Sequence, residues 1–97
     1  GLAGACALSK QALAVSDVAR DPRFYKEISR SVGFDVSSIL ALPMHDGPGV
    51  LGVIELLNKR GTAEFRADEI ETATRVADLA ARLVGVGLEM DQPGTGG

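Results

Sequence analysis

Two apolar runs flanking a turn stand out in the middle of the chain. Ser37 to Met44 is short and almost continuously apolar, the pattern of a strand covered on both faces. Val50 to Asn58 repeats that character, and Asp46-Gly47-Pro48-Gly49 between the two is a turn signal, so the pair predicts an antiparallel hairpin. Pro43 has no N–H to give a ladder, which assigns it to a strand exit or an open edge. Upstream, Gly4 to Gln11 is rich in Ala, Leu and Lys and predicts a short helix after a glycine-flanked turn. Ala12 to Ser16 suits a small strand, and Asp17 to Asp21 a loop. Asp21-Pro22 opens a further helix, because the carboxylate can cap it and proline fits the first helical position. Phe24, Ile28 and Val32 then share one face, and Gly33 ends the helix.

After a loop over Lys59 to Ala63, one long helix is predicted from Ala67 or Asp68 to Leu88, roughly 32 Å in length. Asp68 followed by Glu71 reads as a capping box. Helical spacing separates two apolar seams about 110° apart. Val76, Leu79, Leu83 and Val86 make a bulky seam; Ile70, Ala73, Ala77, Ala80 and Val84 make a mostly small one. Glu71, Arg75, Asp78 and Arg82 fill the remaining face. One seam suffices for a sheet, so the other asks for a partner. The small seam is assigned to it, since small residues let another helix approach closely. The partner is read as a second copy of the chain, the alternative being an N-terminal helix of the same chain.

Composition narrows the function classes. Ninety-seven residues, 45% apolar and 24% charged, fit one small globular unit. Ten Lys and Arg against thirteen Asp and Glu give a net charge of −3, which argues against a nucleic-acid surface. A single cysteine and a single histidine provide neither a disulfide framework nor a ligand set for a structural metal. No apolar stretch approaches a bilayer span, and no cationic apolar leader opens the chain, so no membrane role is expected and the cytoplasm is. Catalysis is not expected either, because no Ser-His-Asp or Cys-His arrangement and no phosphate-loop motif occurs.

Five fragments in register together resemble a GAF domain, nearest in type to those of cyclic-nucleotide phosphodiesterases and bacterial sensor proteins. They are Gly1-Leu2-Ala3-Gly4, Asp17 with Asp21-Pro22-Arg23-Phe24, Gly33-Phe34, Ser38-Ile39-Leu40-Ala41-Leu42-Pro43, and Gly52-Val53-Ile54-Glu55-Leu56-Leu57-Asn58-Lys59. The resemblance implies an α/β fold of the α+β kind: an antiparallel sheet flanked by helices, with a long C-terminal helix and a small-molecule pocket built by loops and short helices. It also implies that residues 1–90 form a sensory unit lacking its N-terminal part; residues 91–97, with three glycines and a proline, are read from their composition as a flexible tail. The family's dispersed signature is matched in residue type by Asn58, Lys59, Phe65, Asp68 and Glu69. Its lysine and aspartate tie the last strand to the final helix. This chain has two residues between Phe65 and Asp68, one fewer than usual in the family, so Asp68 and Glu69 are both open as the partner of Lys59. Arg66 stands where the family tends to have a Ser or Thr cap.

For the pocket, the resemblance carries over the phosphate-facing turn backbone to Leu2 and Ala3, an enclosing aromatic to Tyr25, and a strand glutamate to Glu55. The family's aspartate and two threonines, which contact a cyclic nucleotide, are replaced by Ser29, Val32 and Val36. Those replacements leave polar ligand atoms unpaired, so cAMP or cGMP binding is expected to be weakened and a less polar ligand, or an empty pocket, to be favoured. No cofactor is implied beyond such a ligand. Glu55 is notable on the residues alone: it interrupts the row Leu51, Val53 and Leu57, and a carboxylate there must be paired, hydrated or serving a ligand. Cys6 reads as a small buried hydrophobe rather than a nucleophile, His45 as solvated beside the turn, and Arg23, Lys26 and Arg30 as a solvated basic stripe. The function implied is regulatory: a small-molecule sensor, coupled through its last helix to a homodimer partner and an effector domain in the parent protein. The alternatives are a ligand-free dimerisation module and, further off, a thiol-dependent reductase.

Overall fold

The computed structural model describes residues 1–21, 36–62 and 64–95, with side chains through residue 85. In order along the chain come helix α1 (Leu2–Ser9), strand β1 (Leu13–Val15), a 3-10 turn (Val18–Arg20), strands β2 (Ile39–Asp46) and β3 (Gly49–Leu57), and helix α2 (Ala67–Thr95). The strands form one antiparallel sheet in the order β1-β2-β3. The α+β architecture read from the sequence is therefore present. The helix expected from Asp21 to Val32 lies outside the described residues.

The near-continuous apolar run of β2 follows from its position as the central strand, where successive side chains point to opposite, covered faces. Ile39 and Ala41 face a core with Leu2 and Cys6 of α1, Val18 of the 3-10 turn, and Val36. Leu40 and Leu42 face a second core with Ala77 of α2, flanked by Ile54, Phe65, Ile70 and Ala73. Pro43 pairs with Val53 two residues beyond the last β1 partner of β2, Ala41, so it sits on the stretch that β1 does not flank. At the hairpin, Gly47 has φ of 56° and the following proline ring fixes a negative φ. That sign pair is the one a type II′ hairpin turn requires, and it matches the twist of the two strands. Leu51 is an extra residue in β3: the register passes from Met44↔Gly52 to His45↔Val50.

Three sequence-based expectations need correcting. First, α1 begins at Leu2 rather than Gly4, with Gly1 as its N-cap. The glycine-flanked turn is thus the helix's own first turn, and Ala5 N–H already reaches Gly1 O at 2.9 Å. Second, α2 does not stop at Leu88 but continues through Thr95; extending an existing helix avoids the cost of nucleating one. Third, the two seams of α2 exchange roles. The small seam meets the sheet through Ile70, Ala73 and Ala77, with Ala77 1% exposed and the neighbouring Ala81 4%, although Val84 at its far end is 41% exposed; Val76, Leu79 and Leu83 are 57%, 56% and 75% exposed. The sheet already supplies bulky Leu40, Leu42 and Ile54, so small residues opposite them let the helix lie close without overpacking. No helix among the described residues is long and apolar enough to cross a membrane.

Candidate functional site

The two faces of the sheet are covered differently, and the difference locates the site. On one, α2 lies along β2 and β3. On the other, α1 and the 3-10 turn cover Ile39, Ala41, Val53 and Leu57, and Glu55 shares this face because it stands directly opposite Ala41. Glu55 is exposed, so the carboxylate interrupting the apolar row is open to solvent. The Cys6 thiol is buried and donates to Gln11 O at 3.3 Å. Burial pushes its pKa up, and the negative charge of Glu55 adds to the shift. A thiol held protonated is the reverse of what a nucleophile needs. His45 is exposed near the turn.

Of the residues expected to line a pocket, Leu2 and Val36 spend their side chains on the core under α1, whereas Ala3 is exposed. What Leu2 and Ala3 can offer a ligand is the backbone of the helix's first turn, whose N–H groups have no partner within the helix. Tyr25, Ser29 and Val32 lie outside the described residues, as do Arg23, Lys26 and Arg30.

A second group of residues joins β3 to α2. Asn58 ends β3 with φ of 56°, a left-handed conformation that asparagine tolerates better than most residues. Its Oδ1 accepts the Ser37 N–H at 2.7 Å and the Ser37 hydroxyl at 3.2 Å, while its own N–H donates to Ser38 O at 2.9 Å. Lys59 N–H then donates to the buried Ser38 Oγ at 3.0 Å. The Lys59 ammonium donates to Thr62 O and Oγ1, both at 3.3 Å, and pairs with Glu69 at 3.4 Å. The open choice between Asp68 and Glu69 is thus resolved: Glu69 is the partner of Lys59, and Asp68 pairs with Arg66 at 3.1 Å instead. Phe65 packs on the α2-side core, and with two residues between it and Asp68 the carboxylate that reaches Lys59 is that of Glu69.

The cap differs from expectation in the same way. Arg66 N–H donates to Glu69 Oε1 at 2.8 Å, and Ile70 N–H bonds to Arg66 O at 3.0 Å. The box is therefore Arg66 with Glu69, not Asp68 with Glu71, and only its carboxylate half is present. Glu71 pairs with Arg75 at 2.7 Å. The residues that sequence reasoning missed are Ser37 and Ser38; hydroxyls at a strand mouth, where they can pair with backbone, were the available signal.

The Glu69 carboxyl titrates below its ordinary value of 4.5, held there first by the Arg66 N–H and then by Lys59, against some desolvation. A carboxyl that is more acidic in the folded chain than in the unfolded one adds stability above that ordinary value. The contribution disappears as pH falls from about 4.5 through the lower, folded pKa. Urea unfolding between pH 6 and 3 is expected to show this loss, with Glu69→Gln flattening the acid limb. An unchanged limb in the variant would show that the carboxylate is not held as described.

Comparison with known proteins adds the family context. The profile described as GAF domain matches residues 1–84. The cGMP-specific 3′,5′-cyclic phosphodiesterases of Drosophila melanogaster and Drosophila mojavensis are each 30% identical over 94 residues, which is 95% of this chain. The chain spans only 8% of the length of these curated relatives. Among solved structures, the GAF domain region of a Geobacter sulfurreducens PCA protein superposes with a TM-score of 0.70 at 17% identity, covering 89% of this chain and 57% of that one. The type II free methionine-R-sulfoxide reductase from Thermoplasma acidophilum gives 0.68 at 22% identity, covering 87% and 55%. Both structural likenesses concern the fold.

Proposed function

This chain belongs to the GAF domain family, and on that premise we propose that it is a regulatory small-molecule-sensing domain of a signalling protein. The ligand is received on the sheet face beside α1, and the bound state leaves through α2. The observation that carries this reading is Glu55, an exposed carboxylate on a face otherwise built from Ala41, Val53 and Leu57. An apolar floor with one carboxylate, next to the backbone N–H groups of a helix start, suits a ligand with a flat apolar body, a hydrogen-bond donor and an anionic end. A purine cyclic nucleotide has that chemistry, and the phosphodiesterases of the two fruit flies are named for cGMP. Val36, buried in the core, offers such a ligand no hydrogen bond, so weak affinity is expected. No cofactor takes part. The short span relative to these relatives supports a larger parent protein with its effector domain elsewhere.

The test is thermal unfolding with cGMP and with cAMP. A ligand at a hundred times its Kd adds about 2.7 kcal/mol, on the order of 10 °C for a chain of this size. A rise with one nucleotide that Glu55→Ala removes is the expected result. No rise with either nucleotide would overturn the nucleotide assignment and favour a ligand-free dimerisation module.

The exposed stripe of Val76, Leu79 and Leu83 supports a second element of the proposal, a homodimer formed along α2. Three large apolar side chains at i, i+3 and i+7 on one helix face form a contiguous strip of the kind that buries against a partner helix.

A further inference from the structure

We propose that Asn58 and Lys59 form a joint through which movement of the 36–38 segment reaches the N-terminus of α2. The upstream end of the joint belongs to the face beside α1. Val36 is buried with Leu2 and Cys6, and Ser37 O accepts the Val18 N–H at 3.0 Å. This segment therefore cannot shift without carrying its hydrogen bonds along. Four of those run to β3's end: two from Ser37 to Asn58 Oδ1, one from Asn58 N–H to Ser38 O, and one from Lys59 N–H to Ser38 Oγ. The downstream end is the Glu69 carboxylate, where one oxygen, Oε1, is shared between the Lys59 ammonium at 3.4 Å and the Arg66 N–H at 2.8 Å, with the Arg66 guanidinium further off at 3.6 Å.

That sharing is what makes the arrangement a joint rather than two local contacts. Arg66 has no Ser or Thr side chain to cap the helix, so the capping of α2 depends on the oxygen that also holds Lys59. When the backbone of Lys59 moves with Ser38, its ammonium must either follow Glu69 or release it, and the first turn of α2 tightens or frays accordingly. Lys59 is a suitable lever because its side chain is only 16% exposed and is held at two further points on Thr62. The proposal deepens the sensor reading by giving its route, and rests on that reading only for what sets the segment in motion.

Amide hydrogen exchange on the isotopically labelled chain tests it. Ile70 N–H makes the first backbone bond of α2, to Arg66 O, and so reports the first turn; Leu42, buried in the α2-side core, reports global opening. Ser38→Ala is expected to speed exchange at Ile70 about fivefold relative to Leu42, the effect of one ordinary hydrogen bond. Lys59→Met does the same, and the double variant is no faster than Lys59→Met alone. Asn58→Gly, which keeps the left-handed backbone and removes the side-chain carboxamide, repeats the result if Ser38→Ala does not fold. An Ile70 rate that tracks Leu42 in these variants, or effects that multiply in the double variant, would overturn the joint. Neither outcome depends on nucleotide binding, so failure here and failure of the sensor reading are separate results.

Discussion

Ala77→Glu is expected to unfold the chain, whereas Leu79→Glu, two residues further along the same helix, is expected to leave it folded. Ala77 is 1% exposed and faces Leu40 and Leu42, so a glutamate there would bury an unpaired carboxylate against the sheet. The several kcal/mol that this costs are a large part of the roughly 5–15 kcal/mol that holds a small domain together. Leu79 is 56% exposed on the bulky outer seam, where a charge stays in solvent. Circular dichroism and thermal melting separate the two variants. Sedimentation gives Leu79→Glu a second readout, because a carboxylate in the middle of the outer stripe should convert the proposed dimer to a monomer. If both variants fold equally well, the assignment of the seams is wrong.

Leu40→Ala is the second large effect. Leu40 is 1% exposed on the central strand and packs in the α2-side core. Truncation removes its transfer free energy and leaves a cavity between two elements that cannot close on it, at a cost of about 3 kcal/mol. For a chain of this length the melting temperature should fall on the order of 15 °C. Leu56 is the internal control: it stands directly opposite Leu40 in the register but is 43% exposed on the outer strand. Leu56→Ala is expected to cost less than about 1 kcal/mol. Equal losses at the two positions would contradict the layering.

The hairpin was legible because its signals are local. Asp46-Gly47-Pro48-Gly49 marks a turn by its residue types alone, and a short, near-continuous apolar run beside such a turn fits a strand covered on both faces. The seams of α2 were equally legible as seams, since helical periodicity is a property of one element. Which seam meets the sheet was not legible in the same way. That depends on the size of the side chains facing it, and Leu40, Leu42 and Ile54 become its partners only once the register is known. The Lys59 partner shows the same limit on a smaller scale. Counting from Phe65 left Asp68 and Glu69 open, and the choice fell to where Arg66 begins the helix. At the proposed ligand site, Glu55 was visible as a break in an apolar row. The core roles of Leu2 and Val36 were not, because burial by α1 and by the 3-10 turn is a tertiary fact.

Backbone amide chemical shifts followed during a cGMP titration distinguish the sheet face beside α1, proposed to receive the ligand, from the outer face of α2, which is not. The expected result is that the largest shifts fall at Ala3, Gly4 and Glu55, with Val76, Leu79 and Leu83 unmoved by direct contact. Shifts confined to that outer stripe, or none anywhere at saturating nucleotide, would overturn the placement of the ligand.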